Sequence, residues 1–152
     1  MNTEKLIRQS GKEAHLANML FLLIVMGANL LQAQDPSSFQ WKNRLLLILV
    51  NDLSDEVYTK QLGELNAHKN GLEERKLLVY RIQPDKYTVG LADHRWQQSK
   101  RLYQKYKKTK GPFEIILVGL DGGNKLHGTK FLGCKELFKT IDAMPMRRWE
   151  KQ

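Results

Sequence analysis

A chain of 152 residues has room for one ordinary domain and not for two, and 41% hydrophobic with 27% charged residues is a globular composition that excludes a disordered chain. The single cysteine, Cys134, excludes an internal disulfide framework and a two-cysteine redox cycle within one chain. The net charge of +9 favours anionic partners.

Residues 1–33 differ from the rest. Lys5, Arg8 and Lys12 precede the apolar run MLFLLIVMGANLL, Met19 to Leu31. That run is too short to span a bilayer as a helix. A basic start, a short apolar core and Ala33 read as a secretory signal peptide, although Leu31 is larger than the usual residue two places before the cleavage site. An uncleaved membrane-edge anchor and a buried helix are the alternatives. Cleavage would remove three basic residues (5, 8, 12) and two acidic ones (4, 13), lowering the net charge from +9 to +8. The expected setting is periplasmic or extracellular, with no stable transmembrane span after signal removal. The expected partners are a protein or an anionic surface, and not nucleic acid.

Residues 34–43, QDPSSFQWKN, read as a polar lead-in with Phe39 and Trp41 pinned to the core of the domain, which spans 44–152. Leu45 to Val50 is an unbroken apolar run, as in a strand buried on both faces. Asp52 or Ser54 is placed to cap a following helix, with Asp55 and Glu56 at its positive end. Tyr58, Leu62 and Leu65 recur at helical spacing, and Gly71 is a left-handed helix exit. KLLVYRIQP, 76–84, is the second strand. Asp93 caps a second helix over 94–107, whose apolar side carries Trp96, Leu102, Tyr103 and Tyr106. FEIILVGLD, 113–121, is the third strand.

The glycines of GLDGGNKLHG, 119–128, invite comparison with a phosphate-binding loop. A Walker-type loop needs a second glycine five places after the first, then Lys and Ser or Thr, then a helix. Here Asn124 stands at the second glycine's place, Leu126 follows Lys125, and the continuation is extended. The stretch reads instead as a hairpin turn. Cys134, Leu137, Phe138, Ile141 and Met144 then form one stripe of an amphipathic helix. Pro145 ends it, with Arg147 and Arg148 just past its negative end.

The elements run βαβαββα. This predicts an α/β fold with a mixed four-stranded sheet flanked by helices. The two βα units imply parallel pairing with right-handed crossovers, and the terminal hairpin adds an antiparallel edge. This is the order of the thioredoxin-like core. GLDGGNKL, the ending LFKTIDAMPMRR and the opening FQWKNRLLLI together resemble a peroxiredoxin-like domain family of unknown function called P-DUDES, over residues 35–150. That family occurs in bacterial exported proteins and animal extracellular matrix proteins. The resemblance implies a thioredoxin-like fold and an extracytoplasmic setting. It implies no reaction.

Thioredoxin-like enzymes place the attacking cysteine at the start of the first helix, where the helix N-terminus stabilises a thiolate. Here that place, Asn51 to Tyr58, holds no cysteine, and Asp52, Asp55 and Glu56 oppose a thiolate. Ser54 has no neighbouring base and reads as a cap. Pro112 stands where such folds carry a cis-proline, so Asp52, Ser54, Asp55 and Pro112 outline a candidate groove. Cys134 reads as a small core residue on the helix stripe; its functional reading rests on its place in a first helical turn. Lys100, Arg101, Lys105, Lys107, Lys108 and Lys110 form a candidate basic patch, with a solvated helix face as the plain alternative. His68, His94 and His127 show no metal-ligand spacing, so neither metal nor cofactor is expected. The sequence therefore reads as a non-catalytic binding or interaction module. The alternative is a one-cysteine thiol redox enzyme using Cys134. A carboxylate-based hydrolase has no support beyond the setting.

Overall fold

The computed structural model describes residues 35–92 and 95–150. The signal-peptide reading, Asp93 and His94 lie outside the described residues. Strand β1 (Arg44–Val50) is buried at every position. β2 (Leu77–Ile82) pairs with it in parallel, Leu46 opposite Val79. β5 (Phe113–Val118) flanks its other edge antiparallel, Leu46 opposite Leu117. β3 (Lys86–Val89), β4 (Gln97–Gln98) and β6 (Asn124–Gly128) complete one six-stranded sheet, ordered β4-β3-β2-β1-β5-β6.

Side-chain alternation splits β1 between two cores. Leu46, Ile48 and Val50 face α1 (Glu56–Ala67), α2 (Lys69–Glu74) and α4 (Cys134–Asp142). Leu45, Leu47 and Leu49 face Leu102 of α3 (Lys100–Tyr106) and Phe39 of the lead-in. Phe39 ends a 3₁₀ turn (Pro36–Phe39) capped by Asp35 and meets the Tyr80 ring edge-on at 6.2 Å. Trp41 is not pinned as expected: the residue is 63% exposed, and it is the backbone, at φ 66°, that docks by donating to Leu120 O.

The sheet has two strands more than the four expected. The Pro84–Asp85 turn, closed by Gln83 N–H to Lys86 O at 2.8 Å, folds β3 back onto β2. Only Tyr87 and Thr88 of β3 are buried, and β4 has two residues, so neither strand carries an apolar run. The second helix is correspondingly shorter than 94–107 and starts at Lys100. The pairing of β5 also departs from a parallel crossover. Ile82 lies opposite Leu49 and Phe113 opposite Val50. The connection thus leaves and re-enters at one end of the sheet, and β5 has to run back antiparallel.

Three local expectations change. Asp55, rather than Asp52 or Ser54, caps α1, accepting from Tyr58 N–H at 3.0 Å. Gly71 is no left-handed exit but lies inside α2. A Cβ there would sit 2.6 Å from the Phe138 ring, so its missing side chain lets α4 approach. Pro145 both follows α4 and opens α5 (Pro145–Glu150), as suits proline at a first helical position. The hairpin forms as expected: Gly122 has φ 78°, Gly119 N–H donates to Gly123 O, and β6 pairs antiparallel with β5. No helix among the described residues is long and apolar enough to cross a membrane.

α5 is tied down by charge. Arg147, 4% exposed, reaches Glu74 at 2.5 Å, Asp142 at 3.3 Å and Glu150 at 3.4 Å. Arg75 bonds Asp142 at 2.7 Å, and Arg44 bonds Glu150 at 3.1 Å. Removing one member of a buried pair strands the others, but these carboxylates keep some solvent, which lowers the cost. Arg147→Ala is expected to destabilise by about 2–4 kcal/mol. Lys125→Ala, which breaks the exposed Lys125–Asp121 pair, is expected to cost less than about 1 kcal/mol. Urea denaturation of the two variants checks the contrast.

Candidate functional site

The corner between β1 and α1 is where this topology presents a helix N-terminus at a strand end. Four backbone N–H groups there lack helical partners. The Asp55 carboxylate takes the N–H of Tyr58. The Asp52 carboxylate accepts from Ser54 N–H at 3.0 Å, and that bond, then the Ser54 hydroxyl, holds Asp52 below its usual pKa. One helix donor that would stabilise a bound anion or a thiolate, Tyr58 N–H, and the Ser54 N–H of the turn before it are thus engaged by carboxylates. Ser54 is exposed and serves the turn.

Pro112 is brought to this corner. Its carbonyl accepts from Asn51 N–H at 3.0 Å, and the Gly111–Pro112 bond is trans. The side chain of Asn51 accepts a short hydrogen bond from Tyr103 Oη. Asp52, Ser54, Asp55 and Pro112 therefore share one end of the sheet.

Next to Pro112 is a group the sequence analysis missed. Glu114 lies on β5 with a fully buried side chain. His127 Nε2 lies 2.6 Å from one of its oxygens, Lys108 N–H donates at 3.0 Å and Thr109 N–H at 3.3 Å. Lys107 Nζ is 3.3 Å away. Burial alone pushes this carboxyl up; the bonds from His127, Thr109, Lys108 and Lys107 outweigh it and hold the carboxyl below its ordinary range. Every lone pair faces a protein donor, so Glu114 is a fastening for the 107–109 turn rather than a base open to substrate.

Cys134 starts α4 and is fully buried. Its N–H donates to Glu64 Oε1 at 2.8 Å, and Sγ lies 3.8 Å from Glu64 O. Burial first, then the charge of Glu64 and its hydrogen bond, push the thiol up to about 12. A first-turn position favours a thiolate, but desolvation beside a carboxylate reverses the effect. Gln61, also buried, fastens the preceding loop to α1 by exchanging two hydrogen bonds with Leu132, at 2.9 and 2.8 Å. His68 is one turn beyond Glu64, its Nδ1 2.8 Å from Glu64 O. Glu64, His68 and Cys134 each place one potential ligand atom within 4.8 Å of the other two.

The candidate basic patch is divided. Arg101 and Lys105 reach Asp35 at 3.6 and 3.7 Å, and Lys107 is spent on Glu114 and Gly111 O. Lys100, Lys108 and Lys110 remain exposed.

A family model described as a domain of unknown function (DUF4174) matches residues 35–150. The chain belongs to the DUF4174 family. Among solved structures, this DUF4174 chain is similar to a reduced 2-Cys peroxiredoxin of Plasmodium vivax. The TM-score is 0.55 and the identity 15%, over 77% of this chain and 85% of that one. At that identity the likeness is one of fold: a peroxiredoxin-type, thioredoxin-like arrangement. No curated protein matches the chain.

The buried charges were signalled in the sequence by Arg81 and Glu114, single charges inside VYRI and FEII, where a strand buried on both faces obliges each to find a partner. Because the folded Glu114 pKa is depressed, its contribution is present above the ordinary value of 4.5 and is lost as pH falls through the lower folded value. Glu114→Gln is expected to cost about 1–3 kcal/mol at pH 7, and that deficit is expected to shrink progressively as the pH is lowered below 4.5, as read by urea denaturation across that range.

Proposed function

We propose that this DUF4174 chain is an exported, non-catalytic thioredoxin-fold binding module, akin to the P-DUDES domains. The β1–α1 corner carries this reading. The fold's usual nucleophile position holds Asp52, Ser54 and Asp55 and no cysteine, and the two carboxylates, one of them already on the helix donor Tyr58 N–H, oppose an anionic nucleophile there. The fold's kinship with a peroxiredoxin supplies a scaffold; chemistry resides in side chains.

The surfaces offered to a partner are the corner formed by Asp52, Ser54, Asp55 and Pro112 and the exposed basic side chains of Lys100, Lys108 and Lys110, which suit an anionic partner. The net positive charge suits an acidic protein or another anionic surface, and export makes nucleic acid an unsuitable partner. The apolar segment at residues 19–31 supports export. The one-cysteine redox alternative needs a thiolate at Cys134, and burial beside Glu64 opposes it.

Peroxide consumption and disulfide reduction by the purified chain, beside Cys134→Ser, test the reading. Neither protein is expected to turn over. Cys134 is expected to react with a thiol probe at least a hundredfold more slowly in the native state than in denaturant, given its burial. Turnover that disappears in Cys134→Ser overturns the non-catalytic reading.

A further inference from the structure

We propose that Glu64, His68 and Cys134 form a Zn²⁺ site with one carboxylate, one imidazole and one thiolate ligand, closed by a water. The three residue types come from two elements. Glu64 and His68 are an i, i+4 pair at the end of α1, which places both on one stripe. Cys134 opens α4 and is held against that stripe by its own N–H to Glu64 and by the Gln61–Leu132 clamp.

The geometry is close to that of a formed site. One ligand atom from each residue lies within 4.8 Å of the other two. Tetrahedral Zn²⁺, with bonds of about 2.0–2.3 Å, sets its ligand atoms about 3.3–3.8 Å apart. Closure therefore asks for movements of roughly 1 Å by side chains. His68 and Glu64 are 46% and 28% exposed and have that freedom, while buried Cys134 stays fixed.

The chemistry selects the ion. A thiolate with an imidazole suits Zn²⁺ and disfavours the hard cations Mg²⁺ and Ca²⁺. Thiolate and carboxylate charges together cancel the two charges of the ion, so a half-buried site ends neutral. On binding, the thiol proton passes to solvent as the S–Zn bond forms, and no electron moves. The Cys134 N–H that fixes Glu64 Oε1 acts as an outer-shell support for the carboxylate. The site stands apart from the β1–α1 corner and does not depend on the binding-module reading.

The test titrates Co²⁺, as a spectroscopic substitute, and then Zn²⁺ into the untagged full chain under non-chelating reducing conditions. The expected result is one equivalent of Co²⁺ with tetrahedral visible bands and a near-ultraviolet thiolate-to-cobalt band, all displaced by Zn²⁺. Cys134→Ser is expected to lose the thiolate band. His68→Ala and Glu64→Gln are expected to weaken binding at least tenfold; His68 is exposed enough for its variant to fold if Cys134→Ser does not. Absence of saturable binding overturns the proposal. So does a Co²⁺ complex without the thiolate band, or affinity unchanged in His68→Ala. These readouts are separate from peroxide turnover, so this proposal and the non-catalytic reading fail independently.

Discussion

Everything in this domain depends on covering β1 on both faces. Seven consecutive buried residues are soluble only if two layers of structure close over them, at about 1.5–3 kcal/mol for each large apolar side chain withdrawn from water. α1, α2 and α4 close one face, and α3 with the lead-in closes the other. The sheet edges follow from the same need: β2 and β5 satisfy the backbone groups of β1, and β3 and β6 in turn cover theirs.

That dependence explains which parts of the fold were legible. The unbroken Leu/Ile/Val run of β1 and the apolar runs of β2 and β5, each broken by a single charge, stand out, as does the stripe of α4. The Asp-Gly-Gly hairpin was legible because only glycine enters its left-handed corner without strain. β3 and β4 were not, because strands of four and two residues hold too few apolar positions to set a period. Gly71 was misread for a different reason. A glycine between helical segments can free the backbone or make room for a neighbour, and only the position of Phe138 decides between them.

The candidate site was legible only in part. The absence of a cysteine after β1 and the acidic character of that corner were plain from the letters. Which aspartate caps α1 depends on backbone direction, and the cap is Asp55, three residues beyond Asp52. The neighbourhood of Cys134 was invisible, since its partners Glu64 and His68 lie about seventy residues earlier and become neighbours only when α4 docks. Burial turned the same position from a candidate nucleophile into a thiol that holds its proton. The likeness to a peroxiredoxin thus concerns how the chain is wound, while the chemistry at each place is set by local desolvation and hydrogen bonding.

The pairing of β1 also bears on how the chain behaves before it is folded. Leu45 lies opposite Val118 and Val50 opposite Phe113, separations of more than sixty residues, and pairings so remote in sequence form late. Until then Leu45 to Val50 of β1 are a short, uncharged, β-prone segment of the kind that seeds intermolecular sheets. Arg44 at its entry and Asp52 and Asp55 beyond its exit are the gatekeepers that raise the cost of stacking one chain's β1 on another's. The charges bracketing the strand therefore serve the nascent polypeptide as well as the finished domain.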